Sequence, residues 1–477
     1  MKLLFVGAEA LPFASTGGLA DVLGSLPAAL KREQGDALDI RVVLPLYQSI
    51  SEKYRKDMKK ETEFYVQLSW RHQYCGVYSY TLDGVIYYFI DNQYYFSRGS
   101  LYGNFDDGER FAFFCTAVLE MMPKLDFYPD VLHAHDWQSA LSVIYLRTKY
   151  NWMKEYQVIK TVYTIHNIDY QGIYDFSILG DVFGLSDYEH SIVDYNGAIN
   201  LTKGAIVCCD RLTTVSARYA EEIQMDYFAS GLQHILRMYS GKVMGIVNGI
   251  DTAYYNPADD PAIKCHYTVE NVGTGKAKNK EELQRIFGLP ESPDTPVIAM
   301  VSRLASHKGF DLVRYAIERL LTKNVQFVLL GTGENELESF FENLQARYPE
   351  KVSVLLAYNK DLSKQIYAGA DIFLMPSKSE PCGLAQMIAS RYGTVPVVRE
   401  VGGLYDTIHP FNPQTGEGNG VSFCTYDALD MLDAVLRTVE LYETPELWEV
   451  LRANAMNMDF SWSSSAKKYL DMYQSLD

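Results

Sequence analysis

The chain predicts an α/β protein built from two Rossmann-like, doubly wound domains, and three observations carry that reading. Short apolar runs of strand length alternate with amphipathic stretches of helical period along most of the sequence, the pattern of helices wrapped on parallel sheets. The alternation pauses in a tract rich in Gly, Asn, Asp and Pro, from Asn248-Gly249-Ile250-Asp251 through Asn256-Pro257 to Pro261, and then restarts. The strand-like runs end in polar or Gly-containing turns, and in open α/β sheets ligands bind at that edge. At 477 residues the chain is long enough for two hydrophobic cores. The expected boundaries are 1–245 and 246–455, with 456–477 a closing helix that crosses back to the first domain.

The first half opens with a strand, Leu3 to Ala8, and a loop, Glu9 to Thr16. Gly17-Gly18-Leu19-Ala20-Asp21-Val22 then starts a helix that runs to about Lys31. Paired glycines ahead of a helix let the backbone approach a diphosphate, whose charge the helix N-terminus favours. On this evidence alone, tight strand–helix packing explains them equally. Ile40–Leu44 and Val85–Asp91 are further strands. Tyr102 to Arg110 is a polar, aromatic loop suited to sugar hydroxyls and ring faces, and a helix over 110–122 follows it. Val131 to His135 is a strand that ends in His135-Asp136-Trp137-Gln138, and Val162 to Ile165 repeats the pattern into His166-Asn167. One His at a strand end is usually structural. Two such ends, with Asp136 beside them, point to a shared site. Leu212–Ser216 and Val243–Val247 close the half.

The second half gives strands at Val297–Val301, Val325–Leu330, Val352–Leu356, Ile372–Met375 and Val395–Val398, with helices between them. Pro376, Pro381 and Gly383 break the fourth strand before a helix from Leu384 to Tyr392, so Glu380 sits in a strand-to-helix turn. Phe411–Gly420 is a surface loop, and the stretch Trp448–Tyr473 is helical with an interruption near Phe460.

Composition narrows the function classes. A net charge of −17 argues against nucleic acid or an anionic membrane as partner, and is compatible with a neutral polymer or a small anion in a basic pocket. The seven Cys are scattered, without zinc or disulfide spacing. The N-terminal apolar run is too short for a signal peptide, and no run approaches the ~18 residues that span a bilayer. A reduced, cytoplasmic enzyme is expected.

Arg303 and Lys308 share one loop after a strand, where two fixed cations can neutralise a departing diphosphate, Arg as a bidentate fork and Lys as a point charge. No Asp/Asn cluster suits Mg²⁺, and no Walker loop, nucleophile elbow or kinase signature occurs. A nucleotide-sugar transferase would rely on such protein cations.

Gly-Gly-Leu-Ala-Asp-Val (17–22), His-Asp-Trp-Gln (135–138), His-Asn-Ile-Asp-Tyr-Gln-Gly (166–172), Asn-Gly-Ile-Asp (248–251), Ser-Arg-Leu with Lys-Gly (302–309), Glu-Pro-Cys-Gly-Leu (380–384) and Gly-Gly-Leu-Tyr-Asp-Thr (402–407) occur in that order. Together they resemble the bacterial glycogen (starch) synthases, glycosyltransferase family 5, over essentially the whole chain. The resemblance implies the GT-B fold, two Rossmann-like domains facing a central cleft. It implies an N-terminal acceptor and catalytic domain and a C-terminal nucleotide-sugar domain. It also implies retaining, metal-independent transfer of glucose from ADP-glucose to the non-reducing 4-OH of an α-1,4-glucan, with no cofactor.

Carried over by motif, Arg303 and Lys308 would hold the diphosphate, with Ser15, Gly17 and Gly18 near it. Glu380 and the backbone of Cys382, Gly383 and Leu384 would hold the donor glucose. His166 would sit beside the anomeric centre, with Asp21 and Asp136 lining the cleft. Tyr358 would stack on the adenine, and Tyr95 and Trp137 would serve the sugars. Two positions depart from the pattern: Ser15 replaces the usual Lys, and Ala385 the usual Thr or Ser. Weaker donor binding is expected from both. Two alternatives stay open, a related transferase using UDP-glucose or another acceptor, and a weakly active glucan-binding paralogue.

Overall fold

The computed structural model describes residues 1–476 and divides into two compact units. The first comprises residues 1–246 with the chain from Trp462 onward, and the second residues 247–461. The closing segment therefore starts later than the expected 456. Helix Pro445–Asn457 belongs to the second unit, and the next helix is Trp462–Gln474. Between them the chain is extended, and the Ile250 N–H donates to the Phe460 carbonyl at 2.8 Å.

The first unit is built on a nine-stranded sheet. Its order is Val243–Gly245, Arg211–Thr214, Lys160–Ile165, Val131–His135, Lys2–Val6, Asp39–Pro45, Val85–Asp91, Arg71–Leu82 and Lys59–Leu68. The inner strands are parallel and mostly apolar on their buried faces, as sheets covered on both sides require, with His133, His135 and several Thr as buried polar exceptions. The last two strands form an antiparallel edge absent from the sequence reading. Their outer faces are solvated, so they lack an apolar run. The legible signal was Asp83-Gly84, both at positive φ in the turn joining Leu82 to Val85. A small antiparallel sheet of Ile173–Tyr174, Ala198–Asn200 and Asp194–Tyr195 was likewise unread. Helix Trp462–Gln474 packs on helix Gly18–Gln34. Its Tyr473 hydroxyl hydrogen-bonds to His133 Nδ1 at 2.7 Å, tying the chain end to the inner sheet.

The second unit has one six-stranded, all-parallel sheet: Val352–Leu355, Gln326–Leu330, Val297–Val301, Ile372–Met375, Val395–Arg399, Val421–Phe423. Ile298, Phe327, Leu374 and Val397 from the sheet pack against Phe310, Phe341, Val435 and Leu451 from helices.

Each of the two large sheets contains one point where the strand order reverses. In the first unit it lies between Lys2–Val6 and Val131–His135, and in the second between Val297–Val301 and Ile372–Met375. Connections leave such a point in opposite directions and open a crevice at the carboxyl ends of the strands.

Candidate active site

In the first unit, the loop after Lys2–Val6 carries Glu9 and the loop after Val131–His135 carries Asp136. Glu9 is buried and accepts the Thr16 backbone N–H, and also the Thr16 hydroxyl at 3.2 Å, which fixes the loop leading to Gly17. Burial raises its carboxyl to about 7, against the lowering effect of those bonds, and Asp21 adds repulsion. Gly17 and Gly18 are exposed, and a Cβ at either would meet nothing. Packing within the chain therefore does not demand glycine there. The helix they open has no side-chain cap, so its first-turn N–H groups suit an anion. Ser15 is exposed in the same loop, and Asp21 lies in the first turn.

Asp136 adopts φ 58°, ψ 177°, a region that favours glycine and costs a side chain about 1–3 kcal/mol. Hydrogen bonds hold it: its N–H donates to the Thr164 carbonyl at 2.9 Å, its carboxylate accepts the His166 N–H at 2.8 Å, and its carbonyl accepts from Ser139. Burial, with repulsion from Glu9, raises its carboxyl to about 7. His166 Nε2 shares a 2.9 Å hydrogen bond with His135 Nδ1. Burial lowers the His166 imidazole to about 3 and keeps His135 neutral too. Trp137 starts the helix Trp137–Arg147 and packs against Phe111 and Tyr174, with Gly172 against its ring.

In the second unit, the switch point brings together the loops 302–309 and 376–384. Lys308 Nζ donates to Glu380 Oε2 at 2.7 Å, and Ser377 donates to the same oxygen at 3.0 Å. Glu380 is buried and Lys308 half-buried. The two residues, read separately from the sequence, thus form one ion pair. The loops are braced by backbone contact, since Lys378 N–H donates to the His307 carbonyl at 2.8 Å and a Cβ on Gly309 would lie 2.0 Å from the Pro376 carbonyl oxygen. Arg303 is exposed and its guanidinium makes no ion pair among the described residues.

The 380–384 turn is held from inside by Gln386. Its amide donates to the Cys382 and Gly383 carbonyls at 3.1 and 2.9 Å and to the Thr407 hydroxyl at 3.1 Å. The N–H groups of Cys382, Gly383 and Leu384 make no hydrogen bond to the backbone among the described residues. Tyr358 lies beyond Val352–Leu355 and is 84% exposed, an open ring face. Asn248 is buried with its Oδ1 unpartnered.

Tyr95 needs correction. It is 0% exposed, its ring packs on Phe113, and its hydroxyl donates to Glu109 at 2.6 Å, so it presents no face to a glucan. Asn92 caps the short helix Gln93–Phe96 through the Tyr95 N–H and turns that ring into the core. Glu9 and Gln386 were assigned no role from the sequence, and His135 and Asn248 were read only as members of motifs; Glu9 follows a strand end and Gln386 follows the Glu-Pro-Cys-Gly-Leu motif.

Family models agree with this architecture. Residues 2–238 match the starch synthase catalytic domain, and residues 280–457 match glycosyl transferases group 1. Glycogen synthases of Bacillus cereus (strain B4264) and Geobacillus thermodenitrificans are each 48% identical over 478 residues, covering all of this chain and 100% and 98% of theirs. The catalytic domain of starch synthase IV from Arabidopsis thaliana, solved bound to ADP and acarbose, superposes with TM-score 0.91 at 34% identity, covering 99% of both chains. A sucrose-phosphate synthase from Thermosynechococcus elongatus, at TM-score 0.61 and 16% identity over 100% of this chain and 98% of that one, shares the fold. No helix among the described residues is long and apolar enough to cross a membrane. The chain belongs to the starch and glycogen synthase family of GT-B glycosyltransferases.

Proposed function

We propose that the protein is a glycogen synthase that transfers glucose from ADP-glucose to the non-reducing 4-OH of an α-1,4-glucan with retention, in the cytoplasm. The observation that carries the reading is the Lys308–Glu380 pair at the second sheet's switch point, beside the donor-rich turn 382–384. The C1–O bond to the β-phosphate breaks, the acceptor oxygen bonds to C1 on the same face, and the acceptor's hydroxyl proton passes to the departing ADP. Arg303 and Lys308 neutralise the diphosphate as charge builds on it. Glu380 orients Lys308 and accepts from the glucose hydroxyls, while N–H groups of 382–384 hold its other edge. Tyr358 offers its open ring to the adenine.

In the first unit, Gly17 and Gly18 leave room for phosphate oxygens at a helix N-terminus. Neutral His166 contributes hydrogen bonding rather than charge near C1, and Trp137 offers ring surface to the sugars. Protein cations, not a bound metal, serve the leaving group in this reading, so a chelator leaves the rate unchanged. Radiolabelled ADP-glucose and UDP-glucose, each with and without glycogen, test it. Glycogen-dependent incorporation from ADP-glucose supports it. Preference for UDP-glucose overturns the donor, and glycogen binding without incorporation overturns the activity.

A further inference from the structure

We propose that His135 is a positioning residue that fixes His166 as its Nδ1–H tautomer, so that His166 offers substrate a neutral hydrogen-bond donor and cannot act there as a base. The inference rests on the reading of His166 as a substrate-facing group. Its basis is a pair of imidazoles in which only one nitrogen of each has a partner.

His135 Nδ1 and His166 Nε2 lie 2.9 Å apart, and one proton sits between them. Burial keeps both rings neutral, so each carries a single N–H. The other nitrogen of His135, Nε2, is buried without a hydrogen-bond partner. The His135 ring is fully buried and packs against Phe5, at 5.8 Å, and His133, at 4.1 Å, so it cannot swing to find one. Were the His135 proton on Nε2, a buried N–H would be orphaned, which folded proteins avoid more strictly than an unfilled lone pair. The proton therefore sits on Nδ1 and is donated to His166 Nε2. That nitrogen, accepting, is bare, and the His166 proton is on Nδ1.

His133 does not compete for the bond. Its two nitrogens are engaged by the Tyr473 hydroxyl at 2.7 Å and the Thr164 hydroxyl at 2.6 Å. The His166 backbone is also pinned, because its N–H is held by the Asp136 carboxylate. His166 Nδ1 has no hydrogen-bond partner among the described residues, and its ring is only half-buried. The N–H it carries is left for an oxygen of the nucleotide sugar. An acceptor nitrogen there would meet sugar oxygens only through their hydroxyl protons, and would give nothing to a phosphate oxygen.

The test is nitrogen NMR of the full chain labelled with 15N-histidine, with the His166 signals assigned by comparison with His166→Gln. The expected result is a protonated Nδ1 and a bare Nε2 on His166. A protonated Nε2 in the wild type overturns the proposal whatever any variant does. His135→Phe keeps a stacking ring and removes the donor, and the Nδ1–H signature should give way to the other tautomer or a mixture. His135→Asn, whose amide reaches the place of Nδ1, should restore it. In turnover, His135→Phe should lower kcat/KM about tenfold, one neutral hydrogen bond of about 1.4 kcal/mol. In a His166→Gln background the same change should cost nothing further. Full additivity of the two losses would mean that His135 does not act through His166. If the wild type shows the expected tautomer yet transfers no glucose, the proposed activity falls and the positioning role stands.

Discussion

At the scale of single residues, charge is placed where folding alone gains little from it. Glu380 is buried and is engaged by Lys308 and Ser377. A purely structural pair loses stability when one partner is neutralised, about 1–3 kcal/mol for a half-buried group. A group holding the donor sugar loses rate as well. Glu380→Gln should therefore lower kcat by on the order of a hundredfold, with a modest fall in Tm. A variant that melts early and turns over normally assigns Glu380 to the fold alone. Glu9 makes a different prediction. Its carboxyl is raised to about 7 by burial, so over the interval from its ordinary range near 4.5 up to 7 the folded state binds more protons than the unfolded one. The contribution of Glu9 to stability must then fall as pH rises through that interval and level off above it, while the buried His133, His135 and His166, held neutral in the fold, contribute a rise up to about 6.5. Asp136, also raised to about 7, adds to the same slope. Denaturant titrations of the wild type and Glu9→Gln across this range should differ by that falling component, the variant's stability rising more steeply with pH. An unchanged slope would mean that Glu9 is ionised in the folded chain at acidic pH.

At the scale of elements, the sequence was legible for most strands buried on both faces, though the three-residue edge strand Val421–Phe423 went unread. Val85–Asp91, Val297–Val301 and Ile372–Met375 were read to the residue. Lys59–Leu68 and Arg71–Leu82 escaped because one face is solvated, leaving only the Asp83-Gly84 turn as a signal. The same contrast governs the site. Motif residues after strand ends, such as Asp136, His166, Lys308 and Glu380, could be named in advance. His135 was visible as a strand-end histidine, but its positioning role was not, because that role depends on which nitrogens find partners. Tyr95 misled because an aromatic next to a polar loop looks like a sugar platform until Asn92 is seen to turn it inward. Gly309 shows how an element junction limits the site. It stands at φ 78°, and a Cβ there would overlap the Pro376 carbonyl at 2.0 Å. Gly309→Ala should cost more than about 2 kcal/mol, from the left-handed conformation and the clash together. It should also raise the KM for ADP-glucose, because the loops bearing Lys308 and Glu380 must part. Wild-type stability and KM in that variant would show that the two loops tolerate separation.

At the scale of the whole molecule, a chain of net charge −17 must bind a donor that is itself anionic. The overall field opposes encounter, and local cations have to overcome it within a Debye length, about 8 Å at physiological ionic strength. Arg303 is exposed and without an ion pair among the described residues, while Lys308 already faces Glu380, so the fixed positive charge in the second unit is partly spent on that carboxylate. In the first unit, the loop before helix Gly18–Gln34 has room for an anion at Gly17 and Gly18 but carries Ser15 where its resemblance leads one to expect Lys. A charge-assisted hydrogen bond contributes about 1.5–3 kcal/mol, and each ~1.4 kcal/mol is tenfold in binding. Ser15→Lys should accordingly lower the KM for ADP-glucose about tenfold and leave kcat nearly unchanged. Because the added attraction is between exposed charges, the gain should be largest at low ionic strength and shrink as salt is added. Glycogen, being neutral, should show no change in KM. If Ser15→Lys leaves the donor KM unaltered at every salt concentration, the loop does not approach the phosphates, and the open space at Gly17 and Gly18 serves something other than the diphosphate.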